Sequence, residues 1–148
     1  MGYPGYAHVQ KRELTNPATL LLDVLSANDV AARLTQALPW VVATYPDLDW
    51  PNVVSEAKLR NVQNRLGFVV TLAREVAARE RNDKAVQHLQ RVEGELDESR
   101  LAAETTLARE SMPESERAWL RENRPPAAKH WNVLTSLTAD QVVAASAA

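Results

Sequence analysis

Asp49–Arg81, DWPNVVSEAKLRNVQNRLGFVVTLAREVAARER, is the most strongly patterned stretch of the chain. Leu59, Val62, Leu66, Val69, Ala73 and Val76 step by three and four residues in alternation, which keeps one apolar seam on one side of a helix. Asp49 is placed as an N-cap with Pro51 in the first turn, so the spacing predicts one helix from there to about Arg81. Such a helix would be about 45 Å long at about 1.5 Å per residue. Gly67 lies inside it, where glycine costs about 1 kcal/mol relative to alanine, and a close approach by another backbone is the expected reason.

A seam needs a partner, and the next segment supplies one. Arg81-Asn82-Asp83 forms a short connector, and Lys84 to about Arg109 repeats the spacing with Leu89, Val92, Leu96, Ala103 and Leu107. Two long neighbours joined by a tight turn predict an antiparallel αα-hairpin over about residues 50–110. The charges agree. Lys58, Arg60, Arg65, Arg74, Arg79 and Arg81 outnumber Glu75 and Glu80 on the first arm. Glu93, Glu95, Asp97, Glu98, Glu104 and Glu110 dominate the second. Opposite flanks attract and help set register, although each exposed pair contributes under about 1 kcal/mol.

The flanking segments read as shorter pieces. Residues 1–15, with two glycines, a proline and two tyrosines, read as a flexible arm, or as one whose Tyr3 and Tyr6 reach another subunit. Asn16-Pro17 starts a helix to about Leu25, and Asn28 caps a second through Asp29 to about Leu38. Pro39 predicts a break near Ala37, followed by a helical piece to Thr44 and a turn over Tyr45–Pro51. After the hairpin, Ser111 is expected to cap a helix from Pro113 to about Glu122, which Arg124-Pro125-Pro126 stops. Lys129–Leu137 should dock back through Trp131 and Leu134, and Thr138 should cap a last helix from Ala139 to about Ala145. The predicted fold class is therefore all-α. A helical bundle stands on a long antiparallel αα-hairpin, within one helical domain over 16–148 that has shorter N- and C-terminal helices, the latter in 111–148.

Composition narrows the function classes. The chain has 148 residues, enough for one real core, and its near-half apolar and near-quarter charged content is that of a folded globular protein. A net charge of −2 argues against a general polyanion-binding surface. The lack of cysteine removes thiolate chemistry and the usual structural zinc sites, and fits a reducing cytoplasm, bacterial in expectation. No apolar run reaches the roughly 18 residues of a membrane span, so no membrane partner is expected.

Chemistry-bearing motifs are sparse. His8, His88 and His130 lie far apart without acidic neighbours at helical spacing, so no metal is expected. Asp47 and Asp49 beside Trp50 could serve acid–base work, but turn and cap roles explain both. No phosphate loop or nucleophile elbow is present, and no catalytic residue or cofactor is predicted. Two groups of residues stand out as binding candidates. Arg60, Gln63, Asn64 and Arg65 are the types that contact phosphates and base edges, which leaves a DNA-binding regulator or antitoxin-like protein as the alternative. Trp119, Arg121 and Arg124 in AWLRENRPP suit an interface, because tryptophan and arginine dominate interface hot spots. The leading expectation is a non-enzymatic interaction or regulatory protein that binds another protein and forms a homo-oligomer, with nucleic acid as a possible further partner.

Overall fold

A computed structural model describes residues 16–45 and 47–147. The expected N-terminal arm, including Tyr3, Tyr6 and His8, lies outside the described residues. Described are α1 (Pro17–Ser26), α2 (Ala32–Thr44), α3 (Trp50–Leu59), α4 (Gln63–Arg79), α5 (Asp83–Glu98), β1 (Thr105–Thr106), α6 (Glu114–Asn123), α7 (Pro126–His130), β2 (Val133–Leu134) and α8 (Ala139–Ala147). The chain is mostly helical. Its strands form one short parallel pair, Thr105 beside Val133 and Thr106 beside Leu134. No helix of the described residues is long and apolar enough to cross a membrane.

The decisive stretch folds as two helices rather than one. α3 ends in a Schellman turn: the Val62 N–H donates to Ala57 O, the Asn61 N–H to Lys58 O, and Asn61 takes a left-handed φ of 57°. Asparagine tolerates that conformation at small cost, so the sequence LRNV caps the helix without glycine. The break expels Leu59 from the seam and leaves it 75 % exposed. The later seam positions Val62, Leu66, Val69, Ala73 and Val76 are all buried.

α4 is the centre of the molecule. Every residue from Gln63 to Ala73 is buried, because the helix is covered on all sides by α2, α5, α8 and the β pair. Gly67 is explained by a side chain rather than by a neighbouring backbone. A Cβ there would fall inside the Trp131 ring, with Cη2 at 2.6 Å. Trp131 is 2 % exposed, and its indole N–H donates to Thr71 Oγ1 at 2.9 Å, so α7 and β2 are locked against α4. α4 turns into α5 through a second Schellman motif with Arg81 in the left-handed region, and Asn82 caps α5 by accepting from the Ala85 N–H. Contacts from Gln63 to Ser99 and from Thr71 and Arg74 to Glu93 run antiparallel. Arg74–Glu93 is the ion pair that joins α4 to α5 among the described residues. Arg60 and Arg79 pair elsewhere, with Asp23 and Glu56 and with Asp140.

α5 stops at Glu98 rather than near Arg109. Asp97 and Glu98 stand in its last turn with no basic residue there, the unfavourable charge for a helix C-terminus. The chain instead leaves the helix from 99 to 113, a loop segment interrupted by β1, with Ala103 exposed and Leu107 buried just after the strand. Two other boundaries move. α2 starts at Ala32 and continues through Pro39, where Leu38, Val41 and Val42 are buried against the core and packing outweighs the lost hydrogen bond. Asp29 meets Arg109 in an antiparallel bridge instead of opening that helix. Asn16 and Asp49 do cap α1 and α3, and Thr138 with Gln141 forms a reciprocal capping box on α8.

Candidate interaction surface

The first group of candidates turns inward. Arg65 is 8 % exposed and donates to Leu25 O at 2.7 Å, Ala27 O at 3.3 Å, Thr105 Oγ1 and Glu110 Oε1, so its guanidinium fork is used inside the chain. Asn64 exchanges two hydrogen bonds with the backbone of Leu101, and the Gln63 amide donates to Ser99 O. Together the start of α4 fastens the end of α1 and the 99–110 loop. Arg60 alone of the four is exposed, and it binds Asp23, Ser26 and Glu56. The four residues thus form no common outward face. Their amides and guanidinium satisfy loop carbonyls that have no helical partner.

The second group lies on α6. Glu114 and Glu116 in its first turn complement the helix dipole. Pro113, not Ser111, precedes the helix, and no side chain caps it. Leu120 is the buried residue of this helix, packed with Met112 and Leu134 in a small cluster separate from the main core. Trp119 next to it is 56 % exposed. Arg121 binds Glu104 and Glu114, which raises its pKa further above the ordinary arginine value, the Glu114 bond contributing most. Arg124 donates to Val133 O at 3.4 Å and so holds α6 to β2, although its Nε has no partner. The four tryptophans divide accordingly: Trp50 and Trp131 join the core, while Trp40 and Trp119 reach the surface.

Beside α6 runs a cleft of about 440 Å³ between the start of α2, the 107–112 loop, Glu116 and Leu120 of α6, and residues 134–137. That volume is within the range of small-ligand and peptide pockets. Its floor is apolar, with Leu107, Met112, Leu134 and Leu137, and its rim is polar. At the rim Asp29 accepts from the Ser111 hydroxyl at 2.7 Å and the Ser111 N–H at 3.0 Å. The hydroxyl bond, then the backbone bond, holds the Asp29 carboxyl below the ordinary aspartate pKa. Beside it Arg109, the bridge partner of Asp29, forms a two-pronged ion pair with Glu116. A carboxylate held ionised by two donors is a weak base, so this Ser–Asp pair is suited to fixing loops rather than to activating a nucleophile. Among the described residues no group of three His, Cys, Asp or Glu side chains could hold a metal ion.

The cleft escaped sequence reasoning because Asp29 and Ser111 are 82 positions apart. The local signal is Ser99-Arg100, polar where the three–four spacing between Leu96 and Ala103 calls for an apolar residue. No family model matches the chain, and no curated protein or solved structure matches it either.

Proposed function

We propose that this chain is a non-catalytic interaction protein that binds a segment of another protein across α6 and the adjoining cleft, and that it also self-associates. The observation that carries the proposal is the exposed Trp119 one turn along the helix from Glu116, which lines the cleft. A large aromatic at the surface costs solvation unless a partner covers it, and such residues anchor interfaces. An apolar floor with a polar, mixed-charge rim fits a peptide that inserts an apolar side chain and hydrogen-bonds at its edges. The antiparallel pair of α4 and α5 serves as the rigid support, and the absence of cysteine agrees with work in a reducing cytoplasm. Nucleic acid is the weaker alternative, since Gln63, Asn64 and Arg65 are buried and bonded within the chain.

Selection of a random peptide library on the immobilised protein tests this. Peptides enriched on the wild type should lose at least tenfold in affinity for Trp119→Ala and keep it for Trp40→Ala. Peptides that bind both variants equally would remove α6 from the site.

A further inference from the structure

Leu59 is the most exposed large apolar side chain among the described residues, at 75 %, and it stands at a built feature rather than on a smooth surface. It lines a notch of about 490 Å³ between α3 and α5, together with Pro51, Val54, Ser55, Lys58 and Glu95. The apolar part of the notch comes from α3. Its two charges are opposite in sign and come from different helices. Lys58 and Glu95 are both exposed, and neither forms an ion pair with any described residue.

We infer that the notch is a self-association surface whose occupant is Leu59 of a second copy. The inference rests on the self-association named above and gives it a location. A two-fold interface brings each residue against a different residue of an identical patch, so it needs a surface complementary to itself. The notch meets that requirement twice. It offers a protruding leucine beside an open recess whose apolar lining includes Pro51 and Val54, and it offers a lysine from α3 and a glutamate from α5, neither in an ion pair with a described residue. A two-fold rotation sets Lys58 of one copy against Glu95 of the other and repeats the pair with the roles exchanged. A partner of uniform charge would satisfy one wall and oppose the other.

The Schellman turn at Arg60–Val62 makes the arrangement possible. Had α3 run straight into α4, Leu59 would have entered the α4 seam. The left-handed Asn61 instead turns α4 away and leaves Leu59 at the end of a rigid helix, where its exposure costs little folding energy and a partner recovers the burial.

Sedimentation of the full chain over a wide concentration range tests the inference without any added ligand. The wild type should show a monomer–dimer equilibrium, and Leu59→Asp should weaken it at least tenfold with unchanged circular dichroism. Lys58→Glu and Glu95→Lys should each weaken the dimer, because each sets like charges opposite one another, and the double variant should restore it. A wild type that stays monomeric overturns self-association altogether and leaves the notch to a different protein. A dimer that ignores Leu59→Asp, or a double variant that restores nothing, overturns this surface alone. Binding at α6 is read separately, with Trp119→Ala.

Discussion

Gly67→Ala should destabilise the protein, although alanine is the better helix former. Replacing a glycine inside a helix gains about 1 kcal/mol from backbone entropy and propensity. Against that, the new methyl lands in the Trp131 ring, with Cη2 at 2.6 Å, and ordinary contact begins near 3.4 Å. The ring must retreat by about 0.8 Å or more in a core packed without slack. It is buried on all sides, and its N–H is fixed to Thr71 Oγ1 at 2.9 Å. Overpacking of this kind costs about 1–3 kcal/mol, and weakening a buried hydrogen bond adds about 1 kcal/mol. The net loss is about 1–3 kcal/mol, which for a chain of this length lowers Tm by several degrees, at about 2–4 °C per kcal/mol. Gly94→Ala is the internal comparison, because nothing lies within 4 Å of its Cβ position. That variant should gain up to about 1 kcal/mol. Urea unfolding of both, with m-values compared to exclude a change in the unfolded state, reads the difference. If both substitutions stabilise the protein, Trp131 does not pack on Gly67 and the C-terminal segment is misplaced.

Arg65→Met should cost about 3 kcal/mol, since it leaves Leu25 O at the end of α1 and Ala27 O just after it without this donor while the half-exposed Glu110 is rehydrated. Arg65→Lys should recover only part of this, because a single ammonium cannot span Leu25 O and Glu110 together; chemical denaturation compares the two. Arg60→Ala, by contrast, removes only exposed pairs and should change stability by less than about 1 kcal/mol. The lowered Asp29 pKa gives a pH signature. Its contribution is complete above the ordinary aspartate range and is lost as pH falls through the depressed folded value. The Tm difference between wild type and Ser111→Ala should therefore narrow as pH is lowered from neutral through and below the ordinary aspartate range; a difference that stays constant would deny Asp29 that role. Trp119→Ala should leave stability within about 0.5 kcal/mol, because the side chain is largely exposed.

Cap signals in the sequence divide. Asn16, Asp49 and Thr138 sit at helix starts because capping is decided within one turn, whereas Asn28 and Ser111, of the same residue types, bond across the loops instead, Asn28 O accepting from the Glu110 N–H and Ser111 donating to Asp29. The mostly helical character follows from the same scale. Heptad spacing, however, carried the long helix through Arg60–Val62 and the next through Ser99, since period alone is blind to a capping turn that keeps the register. Asn61 was the available clue, as a residue that accepts a left-handed φ. Burial of Arg65, Asn64 and Gln63 depends on a loop 35 or more residues away, so their polarity read as surface chemistry. Trp119 could be singled out by type, but the cleft beside it is assembled from four separated segments and has no sequence signature.

The most direct measurement is a map of backbone amide shifts in the ¹⁵N-labelled protein as a selected peptide is added. Binding across α6 predicts shifts concentrated at 29–36, 107–122 and 134–137. Shifts gathered at Arg60–Leu66, or spread without a centre, would contradict it.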